Sequence, residues 1–218
     1  MKLSRNPKYI TSLFLAAAMT IPSFAQDTAK KETKPAGGPP DEAAMMAMMM
    51  ELAKPGENHK LLADTVGSWT YTIKYWANPD PSAAPMESTG ATDTKPAMGG
   101  RYFISNTGGK MQMPGPDGKM TDMEFKGMSI EGYDNVKKKY VSSWIDNMGT
   151  GIVISEGTFD AATKTITYLS EYEPFPGMKT KVRQTVKYSD NDHHTMEFSE
   201  QRGGQFVKTM EMAFTRSK

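Results

Sequence analysis

Few residues in this chain have the type and spacing to do chemistry. Trp144-Ile145-Asp146 sets a carboxylate beside an indole, and Glu156 follows across an Asn147-Met-Gly-Thr150 turn. Two carboxylates brought together in that way would suit general acid/base catalysis. The structural alternative is that Asp146 bonds backbone N–H groups at the turn. Of the three histidines, His193 and His194 are adjacent, so on a strand they point to opposite faces and do not chelate one ion together. His59 precedes the first strand and suits a structural hydrogen bond across one end of the fold, to a carbonyl or an acidic group. Nineteen methionines are the compositional anomaly. They cluster at Met45, Met46, Met48, Met49 and Met50, and again at Met111, Met113, Met120 and Met123. Thioethers are soft ligands suited to Cu(I); methionine also makes a pliable apolar surface. The chain has no His-Glu-x-x-His, no Gly-x-Ser-x-Gly, no phosphate loop and no complete Gly-x-Gly-x-x-Gly; Gly149-x-Gly151 lacks the third glycine.

Composition narrows the classes further. A formal net charge of +1 argues against an electrostatic nucleic-acid binder, and the absence of cysteine excludes disulfides and thiolate chemistry. Residues 1–25 read as a cleaved export signal: Lys2, Arg5 and Lys8, then the apolar run Ile10–Ile21, then Ser23-Phe24-Ala25 as the cleavage site. The apolar run is too short for a membrane anchor, which needs about 20 residues, and no later segment reads as a membrane span. Residues 26–40 are polar and rich in Pro and Gly, the composition of a disordered tether. A methionine-rich helix is expected over 41–56, capped by Asp41 and ended by Pro55-Gly56. A second short helix is expected over 58–66. The remaining domain, 57–218, is long enough to bury its own core.

From Gly67 the hydrophobic period becomes two. Trp69, Tyr71, Ile73 and Tyr75 share one face, while Thr70, Thr72 and Lys74 share the other. Turn signals then recur at roughly 13–16 residues, which fits long hairpin strands and leaves no room for crossover helices. About ten strands are expected, near 68–77, 86–94, 97–106, 121–132, 138–146, 150–159, 164–172, 178–189, 193–201 and 205–216. Met111–Met123 breaks the rhythm and reads as a long flexible loop, a lid or mouth between the third and fourth strands. A meander of this length either closes on itself or leaves two adhesive edges, and closure is the commoner outcome. The fold class expected is therefore all-β, an antiparallel meander closed into a barrel, with one or two short N-terminal helices.

Two resemblances follow from these residues. Gly67-Ser68-Trp69 on the first strand and Arg216 at the end of the last resemble the calycins, the lipocalin-like and fatty-acid-binding barrels. That likeness implies that the Arg216 guanidinium lies over the Trp69 indole and seals one end, a cation–π contact. His59-x-x-Leu62, Pro85-Met-Glu-Ser88, Gly99-Gly-Arg101-Tyr, Gly132-Tyr-Asp-Asn135, Lys138–Asp146 and Ser155-Glu-Gly157 are similar to the bacterial domain-of-unknown-function family 1579 (DUF1579), over roughly Pro55 to Arg216. That family implies a fold and no established activity. The calycin relatives include haem-binding barrels, and either His193 or His194 could ligate haem iron in such a barrel, although no motif supports it.

Continuing the alternation inward from Trp69 gives an aromatic set with a few polar groups. It comprises Tyr140, Ser142, Trp144 and Asp146; Ile152, Ile154 and Glu156; Ile166, Tyr168, Ser170 and Tyr172; Val182, Gln184, Val186 and Tyr188; His194, Met196, Phe198 and Glu200; and Phe206, Lys208, Met210, Met212 and Phe214. A slip of one residue inverts any strand. Glu156, Glu200 and Lys208 suit either a pocket with polar fixtures or barrel rims in solvent. The leading expectation is an exported, periplasmic or secreted barrel binding a small, partly apolar or amphipathic molecule, with no cofactor and no nucleic-acid partner. Tyr71, Trp144, Glu156, Tyr168, Gln184 and Lys208 would bind the ligand. Trp69, Arg216, Arg101 and His59 would be structural, Arg101 at a tight Gly99-Gly100 hairpin corner. The alternatives are a barrel enzyme using Asp146 and Glu156, and a methionine-based copper-binding envelope protein.

Overall fold

The computed structural model describes residues 41–76, 84–115 and 117–218. The expected signal peptide and tether lie outside the described residues. Among the described residues two helices, α1 (Glu42–Leu52) and α2 (Glu57–Ala63), precede ten strands. These are β1 (Gly67–Tyr75), β2 (Met86–Ala97), β3 (Tyr102–Pro114), β4 (Met120–Asp134), β5 (Lys139–Asp146), β6 (Val153–Asp160), β7 (Thr165–Tyr172), β8 (Thr180–Tyr188), β9 (His193–Arg202) and β10 (Gln205–Arg216). Every strand pairs antiparallel with its sequence neighbours, and β1 pairs with β10, so the sheet closes into a barrel. Closure leaves no unpaired edge strand.

The turns show why the chain doubles back where it does. Asp134 Oδ1 accepts the N–H groups of Val136 and Lys137, and Asp160 does the same for Ala162. Gly203 and Gly204 take φ of 56° and 86°, the left-handed pair that a two-residue hairpin requires. Gly99 and Gly100 also sit at positive φ in the β2–β3 corner.

The two ends of the barrel differ: inward side chains are buried at the end beside α2, the filled end, and only half-buried at the other, the open end. At the filled end α2 packs against β3 and β4 and flanks the 160–165 and 188–193 hairpins. Leu62 is fully buried against Phe103, Tyr140, Ile166, Tyr168 and Val186. Burying a leucine of this kind stabilises the fold by roughly 2–3 kcal/mol. Tyr140 Oη donates to Asn58 Oδ1 at 2.9 Å, tying the helix to β5. A second cluster, Trp69, Tyr71, Met212 and Phe214, meets the first through Met196.

Three expectations are corrected. Met111–Met123 is not a long loop: β3 and β4 stay paired out to Pro114 and Met120. Their outer part is an arm, because β2 pairs with β3 only as far as Gly90–Gly109 and β5 with β4 only as far as Asp146–Gly127. On β6 the inward face is Val153, Ser155, Gly157 and Phe159, so Ile152, Ile154 and Glu156 face outward. Gly157 sets that register: the Tyr168 ring lies over it, and a Cβ there would come within 2.7 Å of the ring. On β10 the register shifts between Lys208 and Met210, leaving Thr209 as an extra, buried residue. This bulge turns Phe206 and Lys208 to the outside.

Candidate ligand site

The site is clearest along one rung of the barrel wall. Cross-strand pairing runs Glu131–Ser142, Ser142–Ser155, Ser155–Ser170, Ser170–Val182 and Val182–Glu200. All six side chains lie on the inner face, because Glu131 alternates with the inward Ser129 and Tyr133 and the other five share their strands' buried face. Glu131, Ser142, Ser155 and Ser170 form a continuous polar strip. Among the described residues, no side-chain hydrogen bond or ion pair reaches any of the four. The adjoining wall, β2 and β3, differs: Thr94 pairs with Ser105 at 2.8 Å and Thr107 with Thr92 at 3.0 Å, so its hydroxyls satisfy one another.

Glu131 is enclosed yet not sealed. Burial lifts its carboxyl from the usual carboxylate range to about 7, while the residue keeps part of its surface accessible. Its neighbours are phenols. Burial raises Tyr168 far above the ordinary phenol value, with the Glu131 charge adding to it, and raises Tyr188 for the same two reasons. Tyr140 is pushed up to about 12. The Tyr168 hydroxyl is buried with no hydrogen-bond partner. Burying a polar group without compensation is costly, so a strip of this kind suits solvent or a ligand better than a dry core.

The open end is wetter. Tyr172 Oη donates to Glu200 Oε1 at 3.2 Å, and Arg202 Nη2 donates to Glu200 Oε2 at 2.9 Å. Trp144 stacks beside Phe125 with centroids 6.3 Å apart. Gly127 permits this: a Cβ there would fall 2.3 Å from the indole. Above this mouth stands the β3–β4 arm, whose inner face carries Met111 paired with Met123.

The residues singled out in the sequence are distributed as follows. Trp144, Tyr168 and Gln184 face inward, and Gln184 Nε2 contacts Met196 Sδ at 3.4 Å. Tyr71 is also inward but belongs to the wall: its hydroxyl donates to the Gly108 carbonyl and lies against Gly90 and Gly109. Glu156 is outside, paired with Lys137 at 2.8 Å. Lys208 is outside as well, 2.7 Å from Glu211 and above the Trp76 ring. Asp146 accepts from Trp144 Nε1 at 2.7 Å and from the Met148 N–H at 2.9 Å, the structural role. Asp146 sits at the open rim, whereas Glu156 pairs opposite Val141 near the filled end and points outward. The carboxylate dyad is therefore not formed. Among the described residues no cluster of three or more His, Cys, Asp or Glu could hold a metal ion.

At the filled end Arg216 lies 4.1 Å over the Trp69 ring. It also donates to the carbonyls of Val66, Asp64 and Asn191. Arg101 donates to the carbonyls of Ala53 and Met98, and Asn135 to those of Leu52 and Lys54. His59 Nδ1 accepts the Gly56 N–H, capping α2, and desolvation lowers its pKa. His193 is exposed and bonded to Asp190. His194 is buried, stacked on Phe214, with Nδ1 unpartnered, and burial lowers its pKa to about 4. It lines an open cleft of about 370 Å³ between α2 and the 160–165 and 188–193 hairpins. The methionines of α1 are all exposed.

No local sequence feature singles out Glu131. It could have been found by carrying the Tyr140–Trp144 alternation back across the Gly132–Asn135 turn, which places Tyr133, Glu131, Ser129 and Gly127 on the same inner face.

Among the described residues the architecture is a closed, ten-stranded antiparallel barrel with one end packed. The profile of the DUF1579 family, described as a protein of unknown function, matches residues 54–216, and the chain belongs to that family. No curated protein matches the sequence. Among solved structures, the S-type phycobiliprotein lyase of Guillardia theta is similar at 10% identity, with a TM-score of 0.49, over 78% of this chain and 97% of that one. A protein of unknown function of the DUF3598 family from Nostoc punctiforme is similar at 7% identity, with a TM-score of 0.24, over 75% of this chain and 100% of that one. Among the described residues no helix is long and apolar enough to cross a membrane.

Proposed function

We propose that this protein is an exported carrier that binds a small, partly apolar molecule inside its barrel. The observation that carries the reading is the inner rung Glu131–Ser142–Ser155–Ser170, whose polar side chains have no partner within the described residues. A packed core selects against such a strip. A binding interior uses one, because apolar walls with a few convergent polar groups fix a ligand's orientation. Trp144, Phe198 and Met210 supply apolar wall near the open end, and none of them is fully buried. Export is supported by the composition of residues 1–25 and predicts a mature chain beginning at Gln26, checked by the intact mass of the protein recovered from its host. The binding reading is tested by native mass spectrometry of that same material and of Ser142→Trp, which fills the interior beside Glu131. A bound small molecule in the wild type, lost in the filled variant, is the expected result. An adduct of equal occupancy in both would place the ligand outside the barrel and overturn the reading.

A further inference from the structure

The polar strip also specifies the chemistry of the ligand's head. On the inner face the charged groups described are Glu131 on the rung, Glu200 with Arg202, and Asp146 at the rim. Arg202 is taken by Glu200. Asp146 is taken by Trp144 Nε1 and the Met148 N–H. Lys208, which alternation would have placed inside, is outside because of the β10 bulge, held by Glu211 and Glu197. Arg216 is spent on three carbonyls and Asp192 at the filled end. Glu131 thus stands without a cation, facing serine hydroxyls that both donate and accept.

We propose that the barrel takes an amphipathic cation, an apolar body bearing an ammonium group whose N–H donors meet the Glu131 carboxylate and the Ser142 and Ser155 hydroxyls. This rests on the interior-binding reading above and adds the sign of the ligand's charge. An alkyl carboxylate in the same place would set two anions together with no cation to relieve them, and an alcohol would leave the carboxylate without a charge partner. The groups facing Glu131 are phenols, Tyr140 on β5, Tyr168 on β7 and Tyr188 on β8, all with raised pKa values and all neutral below pH 9. The pH dependence of binding therefore follows the Glu131 carboxyl, whose pKa stands near 7 in the empty barrel and falls when an ammonium binds.

The test is a calorimetric titration of the full chain with dodecylammonium, dodecanoate and dodecanol at pH 8, repeated on Glu131→Gln and on Ser142→Trp. A single cooperative melting transition in each variant confirms that it folds. Dodecylammonium is expected to bind at least about tenfold more tightly than dodecanoate. Glu131→Gln should bring the two within about threefold, and the preference should shrink as pH falls to 5, where the empty barrel holds the carboxyl protonated. Dodecanoate binding as tightly as dodecylammonium, and blocked by Ser142→Trp, would overturn the charge assignment while leaving the interior-binding reading standing. Binding of dodecylammonium that survives Ser142→Trp marks surface adsorption and overturns the assignment. No binding of any of the three probes would overturn both.

Discussion

Two side chains show how burial without a partner and burial with several differ in consequence. The Tyr168 hydroxyl is enclosed with nothing to bond. Tyr168→Phe removes a desolvated group and keeps the ring that packs over Gly157. It should raise unfolding stability by about 1 kcal/mol in urea titrations, against the usual direction for a core substitution. Arg216 is the opposite case, with one guanidinium serving an indole and three carbonyls. Arg216→Lys keeps the charge but loses the planar fork, and should cost about 2–3 kcal/mol in the same assay. Arg216 and Trp69 were legible in the sequence, because Gly-x-Trp opens the first alternating strand and an arginine closes the last. Glu131 was not: a lone Glu between Ile130 and Gly132 has no local feature that sets it apart from a solvated strand residue, and its meaning appears only when four strands are laid side by side.

Alternation and turn residues make the strands largely readable, and nine of the ten begin and end within three residues of the expected positions. Two departures, one of register and one of extent, have physical causes. The β10 bulge carries no Gly or Pro, so nothing in Val207-Lys208-Thr209-Met210 signals the extra residue that turns Lys208 outward. The β3–β4 arm resembles a loop in sequence because its strands are built from Met, Gln, Lys and Asp rather than β-branched residues, around Pro114-Gly-Pro-Asp-Gly118. Its only strand partners are each other, so it adds little to the closed sheet. Lys110 and Glu124 face each other across it. Replacing residues 111–123 with a two-residue Asn-Gly turn should therefore leave the melting temperature within about 3 °C of the wild type. A cooperative loss of β-sheet signal by circular dichroism in that variant would show that the arm is part of the barrel's stability.

At the scale of the whole molecule, two enclosed titratable groups oppose each other. The Glu131 carboxyl is raised to about 7, so between the unfolded value of 4.5 and 7 the native state holds the extra proton and stability falls as pH rises. His194 is lowered to about 4, so between 4 and 6.5 the unfolded state holds the extra proton and stability falls as pH drops. Lowering of the His59 pKa acts in the same sense as His194. The two slopes offset each other over their shared window, from about pH 4.5 to 6.5. Glu131→Gln should remove one of them. It is expected to be more stable than the wild type by about 2–3 kcal/mol at pH 8, equal to it below pH 4.5, and to lose stability steadily between pH 6.5 and 4.5. Urea midpoints measured at five pH values check all three features.

Both the last residue of β10 and the side chains that hold the base of α1, Arg101 and Asn135, lie at the packed end, away from the mouth. Attachment to a bead, an electrode or a fused partner through Lys218 would therefore leave the entrance facing the bulk solution, with Trp144 near the rim as an optical reporter of whatever enters.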